Sequence, residues 1–160
     1  MNLQRAWDVL DTVPDPEVPV LSLRDLGIVR DVRETEGGVE VVLTPTYSGC
    51  PATEVIADSV RQAMAEAGFG PVTVRHQLAP AWTTDWISDE GRRKLRDYGI
   101  APPGQVGSAA NAISIRGRNI ECPRCGSRET ERLSAFGATA CKALYRCLAC
   151  REPFEHFKPI

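Results

Sequence analysis

Four cysteines near the end of the chain have the spacing of a metal site. They form two C-x-x-C pairs, CPRC at 122–125 and CLAC at 147–150, separated by 21 residues. Each pair can form a tight turn that points both sulfurs inward, and two such turns close a tetrahedron around one zinc ion. The 42 residues from 119 to 160 are too few to fold around an apolar core alone, so a metal would supply the missing folding energy. We therefore predict a structural zinc site made by Cys122, Cys125, Cys147 and Cys150.

Alternatives remain open at this site. An iron–sulfur cluster also takes four thiolates, and spacing alone does not separate it from zinc. Cys141 lies six residues before Cys147 and is either an alternate ligand or a small buried side chain, with burial the favoured interpretation. His156 is predicted to lie on the surface, because four thiolates already complete a tetrahedron.

Cys50 stands apart from the other five cysteines, in the stretch LTPTYSGCP at 43–51. Because proline is favoured at the first position of a helix, Pro51 predicts a helix start and makes Cys50 its N-cap. The free N–H groups and the positive end of the helix dipole would then favour a thiolate that binds a soft metal or acts as a nucleophile. The equally weighted alternative is a thiol that only caps the helix from inside the core.

Composition limits the kind of protein that carries these thiols. The 160 residues have a net charge of −2 and contain no apolar run near the roughly 20 residues that span a bilayer. The N-terminal stretch does not resemble a secretory signal, so the prediction is a cytoplasmic protein with reduced thiols. Residues 1–100 hold 10 Lys and Arg against 16 Asp and Glu, which argues against nucleic-acid binding.

Hydrophobic periodicity predicts the elements around Cys50. Gly37 and Gly38 separate two β-rich runs and predict a hairpin turn with positive φ. The order strand, helix, strand after that hairpin predicts a parallel strand pair. The predicted elements are a helix over 3–10, strands over 28–36 and 39–45, a helix over 51–67 and a strand over 72–78.

These elements define an α/β or α+β fold, a small mixed-sheet sandwich with helices on one face, followed by a zinc ribbon. Residues 80–99 predict a loop and a helix with Ser88 as its N-cap. The Gly/Pro/Ala-rich stretch that begins at 101 predicts a linker. The predicted domains are therefore 1–100 and 119–160, joined by a linker over 101–118.

Two stretches carry a family resemblance. DPEVPVLSLRDLGIV at 15–29, followed by LTPTYSGCP, resembles the small α/β domain of the SufT-like iron–sulfur protein maturation family. The resemblance implies a transient site for iron or an iron–sulfur cluster, with the motif cysteine at Cys50 and the acidic motif at Asp15 and Glu17.

The rest of the chain resembles the accessory subunits of phenylacetyl-CoA epoxidase. This resemblance rests on Trp82, Trp86, the linker and FGATACKALYRC at 136–147. It implies a non-catalytic protein whose partners are a di-iron oxygenase subunit and an iron–sulfur flavin reductase, and whose role is to help mature or assemble their metal centres.

Three other functions are weighed against this one. A nucleic-acid-binding ribbon is disfavoured by the acidic front of the chain. A thiol enzyme built on Cys50 lacks an identifiable base and a group that orients it. A purely structural subunit would use Trp82 and Trp86 for docking or for its core. The sequence does not decide whether the chain forms a homo-oligomer.

Overall fold

The computed structural model describes residues 2–47, 49–106 and 120–160, and these residues divide into two compact units. The first unit is Met1–Ser88 and the second is Asp89–Ile160. The division falls earlier than the predicted domain boundary at residue 100. The reason is a short strand at Ile100–Ala101, which pairs with the last strand of the chain.

The first unit begins with the predicted amphipathic helix, α1, at Leu3–Leu10. The side chain of Asn2 caps it by accepting a hydrogen bond of 3.2 Å from the backbone N–H of Arg5. Ala6 and Leu10 face inward and are fully buried. The chain leaves the helix just before Pro14, as proline's restrictions on helical backbone require.

A mixed three-stranded sheet forms the body of the first unit, as predicted. Its strand order is β1-β2-β3, with β1 antiparallel and β3 parallel to the central strand β2. The crossover helix α2 connects β2 to β3, and α1 contacts both α2 and β1, so the two helices pack against the same sheet. The bounds are β1 Val29–Thr35, β2 Gly38–Leu43, α2 Thr53–Glu66 and β3 Val72–His76.

The hairpin turn between β1 and β2 differs from its prediction. Neither Gly37 nor Gly38 has a positive φ, so the expectation of a turn with positive φ was wrong. Gly38 is instead the first residue of β2 and pairs with Thr35. It lies against the carbonyl of Pro71, where a Cβ would overlap the oxygen atom. Close backbone approach, rather than turn geometry, explains this glycine.

Trp82 belongs to the core of the first unit. Its side chain is buried, and its Nε1 donates a hydrogen bond of 2.8 Å to the carbonyl of Leu26. Gly27 has a φ of +73° and lies so close to Trp86 that a side chain at position 27 would collide with it. Of the two uses weighed for the tryptophans, core packing therefore describes Trp82.

The second unit is a four-stranded sheet preceded by a helix. The helix α3 starts directly after Ser88, the residue predicted to be its N-cap, and has two acidic residues in its first turn. Strand order is β4-β7-β6-β5, with β4 parallel to β7 and the other pairs antiparallel. The bounds are α3 Asp89–Asp97, β4 Ile100–Ala101, β5 Thr130–Ser134, β6 Lys142–Cys147 and β7 Pro153–Phe157.

The predicted linker is only partly visible. Ala101, its first residue, lies in β4 rather than in a linker, because it pairs with His156 of β7. Residues 107–119 lie outside the described part of the chain. Among the described residues, no helix has the length and apolar character needed to cross a membrane.

Candidate metal centre and the Cys50 turn

The four cysteines predicted to bind zinc come together in the second unit. Their sulfur atoms all lie within 4.8 Å of one another. The Sγ atoms of Cys122 and Cys150 are 3.8 Å apart, and those of Cys125 and Cys147 are 3.6 Å apart. A zinc ion with Zn–S bonds of about 2.3 Å holds its ligands at tetrahedral edges of about 3.8 Å, so the sulfurs fit one zinc ion.

Two backbone turns of matching form place these sulfurs. The N–H of Cys122 donates to the carbonyl of Ser127 at 2.8 Å, and the N–H of Cys147 donates to that of Glu152 at 3.0 Å. Each bond spans five residues, and in each turn the residue before the acceptor has a left-handed φ: +77° at Gly126 and +68° at Arg151. The two C-x-x-C pairs therefore form equivalent knuckles, as a zinc ribbon requires.

Two thiol pKa values in this centre are shifted in opposite directions. The backbone N–H of Cys150, 3.4 Å from the Cys147 sulfur, holds the pKa of Cys147 down to about 7. At Cys150 the backbone N–H of Glu152 lowers the pKa, but burial and the neighbouring thiols outweigh it and raise the pKa to about 11. An ionised thiolate therefore disfavours ionisation of its neighbours, and a divalent cation at the centre would offset this repulsion.

The arrangement of this centre is that of a closed, structural site. Two of its cysteines, Cys122 and Cys147, join Ala101 and Phe154 in a buried cluster. All four tetrahedral positions are taken by protein sulfur, so a bound zinc has no open position for water or substrate. A zinc ion bound there would supply folding energy to the ribbon and would have no free position for a reaction.

Cys141 lies away from the four sulfurs. It directly precedes β6, whereas Cys147 ends that strand, and six residues of strand span about 20 Å. Its sulfur is 3.0 Å from the hydroxyl oxygen of Thr139, and the residue is half-buried. In this arrangement Cys141 is not one of the metal ligands, and an exchange of ligands would require β6 to move.

His156 is buried, and its prediction as a surface residue was wrong. The residue pairs with Ala143 across β6 and β7, and its ring meets the ring of Tyr145 edge-on at 5.6 Å. Burial lowers the pKa of His156 to about 4, against the opposing effect of a hydrogen bond to the carbonyl of Pro102. His156 therefore remains neutral at physiological pH and belongs to the packing of the sheet.

Cys50 occupies a turn before α2 and not the N-cap. The helix begins at Thr53 with Ala52 as its N-cap, so the prediction that helix α2 starts at Pro51 was wrong. The N–H of Cys50 donates to the carbonyl of Tyr47 at 3.3 Å, and the carbonyl of Cys50 accepts from Thr53 at 3.1 Å. Cys50 is buried, with 7% of its surface exposed to solvent.

Thr44 is a residue that the sequence did not single out as unusual. Its hydroxyl is buried and, among the described residues, is the buried side-chain polar atom without a hydrogen-bond partner. It stands directly after β2, in the loop that leads to Cys50. An unpaired buried hydroxyl lowers the free energy of unfolding by about 1–3 kcal/mol, so Thr44 is a destabilising residue in this loop.

The two acidic residues of the family motif, Asp15 and Glu17, differ in their burial. Asp15 is buried, and its Oδ2 accepts hydrogen bonds from the backbone N–H groups of Glu17 and Val18 at 2.9 and 2.8 Å. This carboxylate therefore shapes the turn after α1, while Glu17 is half-buried. Within the described ranges, Cys50, Asp15 and Glu17 do not form a cluster of three metal-ligating groups such as the four tail cysteines form.

Comparisons with known proteins match both units. The family described as an iron–sulfur cluster assembly protein matches residues 3–75, and the PaaD zinc beta ribbon domain matches residues 109–158. The crystal structure of a domain of unknown function, DUF59, from Bacillus anthracis covers 57% of this chain and 89% of its own, with a TM-score of 0.54 at 24% identity. That likeness supports the fold of the first unit.

Two curated relatives extend the comparison. A protein of Escherichia coli (strain K12), provisionally named as a 1,2-phenylacetyl-CoA epoxidase subunit, is 51% identical over 99% of this chain and 94% of its own length. An Fe-S protein maturation auxiliary factor of Porphyromonas gingivalis is 35% identical over 54% of this chain and 84% of its own.

These matches define the class of protein as an iron–sulfur cluster assembly domain joined to a zinc ribbon. The chain belongs to the PaaD family, which includes the epoxidase subunit of Escherichia coli.

Proposed function

We propose that this protein is a non-catalytic accessory subunit that helps mature the iron or iron–sulfur centres of phenylacetyl-CoA epoxidase. The proposal is supported by the assembly domain in the first unit and by the name of the relative that spans nearly the whole chain. Its expected partners are the di-iron oxygenase subunit and the iron–sulfur flavin reductase of that enzyme. Iron or a cluster is the cargo of this protein, whereas zinc is its resident metal.

The observation that carries the proposal is the separation of two kinds of thiol. Four cysteines are committed to a closed centre in the second unit, and Cys50 lies in the first unit outside that centre. A closed tetrahedral site does not hand over its metal, so the ribbon is a poor donor of cargo. A single thiol in a loop binds metal weakly enough to release it, as a transient site must.

Cys50 is the sulfur ligand in this proposal. With 7% exposure it reaches a partner only when the loop around it opens. The backbone of Cys50 makes turn hydrogen bonds to Tyr47 and from Thr53, and opening a short loop costs less than unfolding the domain. Glu17 is the proposed oxygen ligand, and it would join Cys50 only after the loop opens, because these residues form no cluster in the closed structure. Asp15 holds the turn of Glu17 in place.

The test replaces Cys50 by alanine in the full-length chain. Cys50→Ala is expected to keep one zinc per chain and to remain folded with a somewhat lower urea midpoint, while the epoxidase purified from cells that carry this variant contains less iron. Cys141→Ala is the matched control, because Cys141 is also outside the zinc centre, and its epoxidase should contain normal iron. Normal iron in the epoxidase from Cys50→Ala cells would contradict the proposal.

A second measurement identifies the cargo. The protein is purified anaerobically, and its zinc and iron contents are compared with its visible absorption. One zinc with iron and a brown colour that Cys50→Ala loses indicates a cluster at Cys50. One zinc and iron without colour indicates a single iron ion.

The burial of Cys50 favours one competing function, a purely structural subunit. In that case the protein holds the epoxidase components together and Cys50 only fills space. The Cys50→Ala experiment separates the two functions, because the loss of a buried sulfur lowers stability in either case, whereas only a transfer protein loses iron delivery.

A further inference from the structure

Three segments of the first unit meet beside Cys50. The parallel pairing of β2 and β3 places Leu43 opposite His76, and the N–H of Gln77 donates to the carbonyl of Leu43 at 2.8 Å. The start of α2 joins them, since Thr53 lines the same small hollow as Leu43 and His76. The loop with Cys50, the first turn of α2 and the residues after β3 therefore share one end of the unit.

The three segments that meet there each carry an exposed apolar side chain. Tyr47 is 40% exposed, Val55 is 54% exposed and Leu78 is 64% exposed. Tyr47 lies in the Cys50 loop, Val55 in the first turn of α2, and Leu78 two residues after β3. We call these three residues the Cys50 patch.

Most of the exposed large apolar side chains of the first unit belong to this patch. Among the described residues of that unit, four large apolar side chains are exposed, and Leu3 on α1 is the fourth. Scattered exposed apolar residues are ordinary, but a group of them around one loop is typical of a protein interaction site.

The charges around the patch indicate the chemistry of its partner. Glu54, next to Val55, is exposed and has no ion pair within the described ranges, whereas Asp58 is paired with Arg61 at 2.6 Å. Residues 1–88 contain 6 Lys and Arg and 13 Asp and Glu, a net charge of −7. Two such acidic units repel each other, so this charge disfavours contact between the first units of two copies and favours a basic surface on the partner.

We propose that the Cys50 patch docks the protein that receives the metal, through an apolar surface bordered by lysine or arginine. This inference rests on the proposed function, because a ligand exchange from Cys50 requires the recipient to approach within bonding distance of its sulfur. The patch surrounds that position with apolar area for docking, and Glu54 supplies a charge that orients the partner.

The test measures binding of the full-length protein to two immobilised probes, the purified iron–sulfur flavin reductase and the purified di-iron oxygenase subunit. The recipient is the probe that the unchanged protein binds. The double variant Val55→Asp with Leu78→Asp is expected to weaken binding to that probe by about tenfold or more, as loss of an interface centre does. The matched control is Leu133→Asp with Phe136→Asp, which changes two exposed apolar residues of the second unit and should bind normally. Zinc content and circular dichroism confirm that both variants fold.

Two further variants keep the docking surface separate from the cargo site. Cys50→Ala should bind the recipient as the unchanged protein does, even where it fails to deliver iron. Glu54→Lys should weaken binding, most strongly at low salt. If Cys50→Ala delivers iron normally while the patch variant still loses binding, the transfer role fails and the docking surface stands.

Several results would overturn the docking proposal. Normal binding by the patch variant would do so, as would equal weakening by the patch and control variants. Failure of the unchanged protein to bind either probe would also overturn it. A dimer of the unchanged protein that becomes a monomer in the patch variant would assign the patch to a second copy instead.

Discussion

Gly38 lies directly against the carbonyl oxygen of Pro71, and the next residue, Val39, donates its N–H to that same oxygen at 2.9 Å. This contact joins the start of β2 to the residue that precedes β3. It brings the two parallel strands together at the end opposite to the Cys50 loop. The close approach leaves no space for a side chain at position 38.

The first prediction concerns this contact. Gly38→Ala should lower the free energy of unfolding by about 2–3 kcal/mol, because the added methyl group collides with backbone that cannot rotate away. Gly37→Ala is the matched control, since open space surrounds Gly37 and its φ is not left-handed. Urea unfolding followed by tryptophan fluorescence measures both. Equal stability of the two variants would show that β2 and Pro71 can separate at little cost.

The second prediction concerns the metal. The unchanged protein should contain one zinc per chain, and Cys147→Ser should contain almost none, because Cys147 is a fully buried member of the centre. Loss of the zinc should also unfold the second unit, since a structural zinc site supplies about 10–16 kcal/mol of apparent binding energy. Elemental analysis and the chemical shifts of the ribbon strands measure the two effects.

Cys141→Ser controls for the loss of a thiol as such. Its sulfur lies at the other end of β6, so this variant should keep its zinc and its ribbon structure. A loss of zinc in Cys141→Ser would mean that the ligand set differs from the four cysteines that the fold brings together.

The third prediction concerns pH and the second unit. The pKa of His156 is about 4 in the folded protein, and an unfolded histidine has a pKa of about 6.5. Between these values the unfolded chain binds more protons, so the free energy of unfolding falls as pH decreases from about 6.5 towards 4. At pH 5 the loss attributable to His156 should be about 2 kcal/mol.

His156→Gln isolates this effect. The variant keeps an N–H for the carbonyl of Pro102 but does not titrate, while the zinc thiolates respond to acid in both proteins. Urea-induced zinc release at pH 7 and pH 5 gives the two stabilities. The difference between the proteins should shrink at pH 5, and a difference that does not change with pH would show that His156 is accessible to protons in the folded state.

The fourth prediction concerns the unpaired hydroxyl of Thr44. Thr44→Val replaces it by a methyl group of similar size, so stability should be unchanged or rise by about 1 kcal/mol. Ser22→Ala is the control. The Ser22 hydroxyl donates to Asp11 at 2.9 Å and accepts from the N–H of Asp25 at 3.0 Å, so its loss should cost about 1–2 kcal/mol. A similar loss in Thr44→Val would reveal a hydrogen-bonded partner at Thr44 in solution.

The sequence predicted the elements of the first unit because its periodicities are regular. The apolar stripe of α1 and the runs that form β2 and β3 leave little choice of structure, and the parallel pairing follows from the helix between the strands. The start of α2 differs from its prediction. Pro51 is favourable at a helix start, but it suits a turn equally well, and the bond from Thr53 to Cys50 closes such a turn first.

The four-cysteine cluster could be predicted residue by residue, because metal ligands need only the right spacing in two short turns. The environment of His156 could not, since it depends on a pairing between β4 and β7 that the chain makes across more than fifty residues. One local signal was present: Phe154 and His156 alternate along β7, and both face inward. The Cys50 patch had no such signal, because exposure is a property of the assembled fold.

The pairing of β4 with β7 also determines how the ribbon can be studied in isolation. The zinc-ribbon family match starts at residue 109, yet the sheet that carries the cysteines includes Ile100 and Ala101. A fragment cut at residue 109 would leave β7 with an open edge, which invites aggregation. A fragment meant to carry the metal-binding half should therefore begin at Asp89.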